Sequence, residues 1–215
     1  MPPASPRAVL SAATRSPTSS AGPGSAAPEG EQRITLFNIR WEHYESLLQM
    51  MEEQCGLRLT YLDGTLELTK LSVRHEFIKK LIARLLEVYA LEHDIELIGA
   101  GSATFKKRSA RRGAEPDECY FLGRERSTPD LAIEVVITKG VVDKLDVYSG
   151  LGVKELWIWE AGALHIYRLR RGRYTRSARS GLLPELDLAH LSRFIERPAQ
   201  TRAVREYRDS LRRQH

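Results

Sequence analysis

Apolar residues recur along the chain with two different periods, and the switches between them divide it into elements. In "NIRWEHYESLLQMMEEQ", Trp41, Tyr44, Leu47, Leu48 and Met51 fall at helical spacing, which predicts a first helix. The stretch "LRLTYLDGTLELT" instead alternates on either side of Asp63-Gly64, a dipeptide favoured in two-residue turns, so a hairpin is expected there. Over residues 72–93 the helical period returns. Phe77, Ile78, Leu81, Ile82, Leu85, Val88 and Tyr89 mark one face of a long second helix, and Ser72 is its candidate cap.

Beyond "IELIGAG" and the basic loop "KKRSARRG" come two short runs that each begin with Pro-Asp, "PDECYFL" and "PDLAIEVVI". Proline is tolerated at the first position of a strand, so both read as strands joined by the polar turn "GRERST". In "GVVDKLDVYSGLGV", Val141, Val142, Leu145 and Tyr148 predict a third helix ending at a glycine. "KELWIW", "LHIYRL" and "RYTRS" are further strands, and the end of the chain carries "LLPELDL" and a polar, exposed helix. Strands mixed with three or four helices predict an α/β (α+β) domain around one sheet. Residues 1–31, rich in Pro, Ala, Ser and Gly and lacking aromatics, predict a disordered tail, with a transit peptide as the second reading. The domain is expected over residues 32–198, followed by a basic C-terminal helix or tail over 199–215.

Charge changes the picture regionally. The net charge of +5 hides a C-terminal segment, residues 161–215, with 13 Arg against 5 acidic residues. Such a segment suits a polyanion, or is simply a solvated Arg-rich surface. Cys55 and Cys119 show no CxxC spacing, so neither a disulfide framework nor a zinc site is suggested. No apolar run approaches membrane-spanning length and no secretory signal stands at the start, which places the expected protein in the cytoplasm.

Alternation then decides which carboxylates can cooperate. Asp130, Ala132, Glu134 and Val136 share one face of their strand, while Leu131, Ile133, Val135 and Ile137 share the other. If the two Pro-Asp strands are neighbours, Asp117 and Glu134 converge. Two close, partly buried carboxylates repel unless a proton or cation intervenes, and a hard ion such as Mg²⁺ needs only one or two of them. The plainer alternative has Asp117 and Asp130 capping turns and Glu134 facing solvent. Lys144 lies about 90° from the centre of the third helix's stripe, at its flank, where it could meet a site. His75 occupies the same position on the second helix, with Glu76 on the far side. A satisfied, partly buried histidine is the other reading of His75.

Several of these pieces occur together in one known family. With "LTYLDGTLEL", "SVRHEF", "GSATFK", "GAEPDE", "PDLAIEV" and "YSGLGVKELWIW", residues 57–195 resemble the bacterial Uma-two family of restriction-endonuclease-like proteins in the PD-(D/E)xK nuclease superfamily. The resemblance implies a restriction-endonuclease-like fold, a mixed central β-sheet flanked by helices, with Asp117 and Glu134 as metal ligands. Val136 stands where the superfamily lysine would be. The resemblance moves that role to Lys144, with Lys139 a weaker substitute. It further implies hydrolysis of phosphodiesters, expected to be those of DNA with RNA as the open alternative, using Mg²⁺ or Mn²⁺. Lys106, Lys107, Arg108, Arg111 and Arg112 would contact backbone phosphates, and His75 would join the catalytic group. A homodimer is expected, since a duplex has two strands to cut. The competing expectations are an inactive nuclease fold that binds nucleic acid or a protein partner, and a structural dimerisation protein.

Overall fold

The computed structural model describes residues 8–11, 30–51 and 56–213 of the chain. Strands β1 (Ala8–Ser11) and β2 (Gln32–Leu36) precede helix α1 (Trp41–Met51), the hairpin β3 (Leu57–Leu62) and β4 (Thr65–Lys70), and the long helix α2 (Val73–Glu92). Short strands β5 (Leu97–Gly99), β6 (Phe105–Lys107) and β7 (Arg112–Ala114) lead to β8 (Glu118–Leu122) and β9 (Leu131–Val136). After helix α3 (Lys144–Leu151) come β10 (Glu155–Glu160), β11 (Ala163–Arg170), β12 (Arg173–Ser177), α4 (Leu188–Ser192) and α5 (Gln200–Arg212).

The α+β class expected from the sequence holds, but the strands divide between two six-stranded sheets. The first has the order β1-β2-β4-β3-β7-β6, with each neighbouring pair of strands antiparallel. Its hairpin forms as the turn residues dictate: Asp63 and Gly64 both have positive φ, 47° and 93°, the backbone of a type I′ turn. Trp41, Tyr44 and Leu48 of α1 pack with Leu59, Tyr61 and Leu66 of this sheet. β1 lies inside the segment whose composition predicts disorder; its backbone pairs with β2.

The second sheet, β12-β11-β10-β9-β8-β5, is mixed, because β9 and β10 run parallel on either side of α3. Alternation along β9 divides its residues as expected. Leu131, Ile133 and Val135 enter the largest core with α2, α4 and α5, while Ala132 faces a second core built on α3. Burial of these two faces supplies most of the driving force, at about 25 cal/mol per Å² of apolar surface.

Four expectations need correction. Phe77 is 61% exposed, because it lies about 140° around α2 from Ile82, outside the buried stripe. Val141 is 63% exposed and precedes α3, which starts at Lys144 because the Asp143 carboxylate accepts the Leu145 N–H at 2.8 Å as the N-cap. The basic loop is a short hairpin, β6 and β7 joined by a 3₁₀ turn. The C-terminal helix is not free: Ala203, Tyr207 and Leu211, spaced four apart, bury one face of α5 in the largest core.

Candidate active site

The antiparallel register between β8 and β9 pairs Glu118 with Ile133. Extended by one residue, it sets Asp117 opposite Glu134, on neighbouring strands. Both side chains are buried, in a small cleft of about 40 Å³ lined also by Arg58, Glu67, His75, Val136 and Lys144. That space suits a few water molecules or a partly hydrated ion. His75 reaches the cleft from the first turn of α2, where the Ser72 hydroxyl accepts its backbone N–H at 3.2 Å.

A continuous polar chain runs through the cleft. Asp117 Oδ2 accepts the Val135 N–H at 2.8 Å, and Oδ1 lies 2.9 Å from His75 Nε2. On its other side His75 Nδ1 lies 2.7 Å from Glu31 Oε1. Arg33 then donates to Glu31 at 2.7 Å and to Glu67 at 2.6 Å, and Glu67 accepts the Val141 N–H at 2.8 Å. Lys144, the first residue of α3, donates from Nζ to Glu134 Oε1 at 3.2 Å and to Thr60 Oγ1 at 3.0 Å. Tyr148, one helical turn later, donates its hydroxyl to the same Glu134 oxygen at 2.5 Å.

These contacts set the charges. Burial disfavours the His75 imidazolium, but the Asp117 and Glu31 carboxylates outweigh it and push the pKa up to about 9. Burial also acts to raise Asp117; His75, the Val135 N–H and Lys144 reverse that and hold it below the usual carboxylate range. Glu134 goes the other way. Its burial, aided by the Asp117 charge, raises its pKa despite the opposing pull of Lys144.

The donor set suits a hard cation of modest demands. Among the described residues no group of three or more His, Cys, Asp or Glu is placed to hold a metal ion, which leaves Asp117 and Glu134 as a two-carboxylate set. Mg²⁺ is commonly held by one or two carboxylates, completing its shell with water and substrate phosphate. The residues therefore fit such an ion.

Of the residues expected at a site, His75, Asp117, Glu134 and Lys144 come together. The basic hairpin is spent elsewhere: Lys106 pairs with Glu45, Arg108 with Glu42 and Glu45, Arg111 with Asp63, and Arg112 with Asp63 and Asp146. Lys107 is exposed. Lys139 pairs with Glu160 at 3.3 Å, outside the cleft. Asp130 does the turn work proposed as its plainer role, accepting the Leu122 N–H at 2.9 Å and pairing with Arg126 and Lys154. Glu31, Arg33, Glu67 and Tyr148 were not singled out by sequence reasoning. Glu67 had a usable signal, a carboxylate between Leu66 and Leu68 in mid-strand, the same signature that marks Glu134.

A model of the Uma2 family, described as "Putative restriction endonuclease", matches residues 41–199, and the chain belongs to that family. The architecture is consistent with a restriction-endonuclease-like fold. No curated protein matches the chain. The matched stretch contains His75, Asp117, Glu134 and Lys144, whereas Glu31 and Arg33 precede it.

Proposed function

We propose that this member of the Uma2 family is a metal-dependent endonuclease hydrolysing phosphodiester bonds of DNA. The observation that carries the reading is the opposition of Asp117 and Glu134 on adjacent strands, with Lys144 reaching Glu134 from α3. Asp117 and Glu134 would hold Mg²⁺ or Mn²⁺, which when bound supplies positive charge to phosphoryl oxygens and lowers the pKa of water. Lys144, fixed between Thr60 and Glu134, directs an ammonium into the cleft, where it stabilises charge that develops on the phosphate. Arg58 also lines the cleft, as a second cation that would face the substrate backbone. His75, held between Glu31 and Asp117, keeps Asp117 ionised and fixes its rotamer.

A second reading draws support from the same site. Val136 stands at the superfamily lysine position, and both Asp117 oxygens already have partners, so the fold could bind nucleic acid without cutting it. Plasmid nicking by purified protein in Mg²⁺ or Mn²⁺, with EDTA and Glu134→Ala controls, decides between them. Cleavage that needs metal and falls on the order of 10²–10³-fold in Lys144→Ala, and further in Glu134→Ala, supports the enzyme. Folded protein that binds DNA but leaves it intact favours the second reading. The proposal extends to a homodimer in the cytoplasm; sedimentation of the same sample at the mass of one 24.4 kDa chain would remove the dimer. Among the described residues, no helix is long and apolar enough to cross a membrane.

A further inference from the structure

Residues 161–184 contain six arginines and no acidic residue. They fold as β11 and β12, the last hairpin of the second sheet, with β12 as its edge strand. Arg168 is neutralised by the buried Glu155 at 3.3 Å. The other five, Arg170, Arg171, Arg173, Arg176 and Arg179, are exposed and form no ion pair among the described residues. This is the reverse of the β6–β7 hairpin, where four of the five basic side chains already meet carboxylates. Uncompensated like charges on one small element repel each other, and a polyanion relieves that repulsion.

The hairpin also presents these charges on a fixed frame. Arg170 and Arg173 are cross-strand partners, and the apex residues Arg171 and Gly172 have φ of 50° and 78°. A type I′ apex favours Asn or Gly at the first of these positions, so the arginine occupies a left-handed backbone at some conformational cost. The Leu169 N–H bonds to the Lys154 carbonyl at 2.8 Å, so the apex projects beyond the first residue of β10. Across the sheet, Cα partners run from Glu134 to Ile158 to His165, and Arg176 lies 2.7 Å from the His165 ring on that same edge. Three inter-strand steps separate β9 from β12, about 14 Å. That is on the order of four phosphate steps along one strand of a duplex, and the Arg170–Arg173 apex lies farther off, beyond the Leu131 end of β9 rather than the Glu134 end.

We infer that the β11–β12 hairpin is a docking surface for the phosphate backbone of duplex DNA, gripping it at the outer edge of the sheet that carries the cleft without reading its sequence. The inference rests on the nucleic-acid part of the function proposed above. Its test is fluorescence anisotropy of a labelled short DNA duplex with the full chain at several salt concentrations. Wild type is compared with the combined variant Arg170→Gln, Arg171→Gln, Arg173→Gln, Arg176→Gln, and with Arg202→Gln on α5, an arginine whose charge Glu206 already meets, as a control. The expected result is binding at least tenfold weaker in the four-site variant, with the slope of log K against log salt flattened by about 3–4. Arg202→Gln should bind as wild type. Unchanged affinity and slope in the four-site variant, with folding verified by circular dichroism, would overturn the inference, as would wild type that binds no duplex at low salt. If binding depends on the hairpin yet no cleavage occurs, the docking surface stands and the nuclease reading fails. If cleavage occurs and ignores the hairpin, the nuclease stands and the docking surface fails. Tighter binding of an RNA duplex or a single strand through these arginines would overturn the assignment to duplex DNA.

Discussion

Glu31 divides its two oxygens between His75 and Arg33, and its side chain has no exposure to solvent. Removing one partner from such a buried group leaves a charge uncompensated, so the arrangement is held far more firmly than a surface pair. Glu31→Gln keeps the shape and removes the charge that orients the His75 ring. The expected outcome is a kcat about 10-fold lower with KM changed less than about twofold, since the substrate cations are untouched. Steady-state cleavage rates check it, and equal kcat values would deny Glu31 a positioning role. Glu134 was legible in the sequence because a charge between Ile133 and Val135 contradicts its neighbours. Glu67 carries the same contradiction, but the alternation of its hairpin also accommodates it as an ordinary polar-face residue. Glu31 shows no sign of a site, because apart from Arg33 its partners, His75 and Thr138, lie 44 and 107 residues away.

The β9–α3 connection is the element on which the site depends most. It is tied at Thr138 to Glu31 and at Val141 to Glu67, and it delivers Lys144. At Gly140, between the two ties, an added Cβ would collide with the Glu67 carboxylate. Gly140→Ala should therefore displace Glu67 or the loop, lowering stability by about 1–3 kcal/mol and cleavage by about 10–100-fold. Denaturant titration and rate measurements report the two effects separately, and wild-type values for both would refute the tie. Elements with a local code were readable: the Asp63-Gly64 turn, the Ser72 cap and the alternation of β9 all appear where spacing puts them. Elements whose limits are set from afar were not. The start of α3 answers to a cap at Asp143 that interrupts an apparent apolar stripe. Lys106 and Arg108 of the β6–β7 hairpin find acids in α1, more than sixty residues earlier, that no local pattern links to them.

For the molecule as a whole, the buried charges couple stability to pH. A histidine raised from its ordinary 6.5 to about 9 contributes stability that is fully present below about 6.5 and lost as pH rises through about 9. The metal-free protein should thus lose on the order of a few kcal/mol across that interval, and His75→Gln should flatten the loss. Denaturant midpoints measured across this range decide it; parallel curves for the two proteins would show that His75 is not the source. Asp117, lowered, acts on the other flank: its contribution is present above the unfolded carboxylate pKa and lost on acidification, while raised Glu134 opposes it. The N-terminal position of Glu31 has a separate consequence during synthesis. It leaves the ribosome 107 residues before Thr138, which at ordinary elongation rates is about 5–20 s. Throughout that interval the nascent chain holds an acid with no loop to fasten, so the proposed activity is withheld until β8 and β9, the strands that set Asp117 opposite Glu134, have been made.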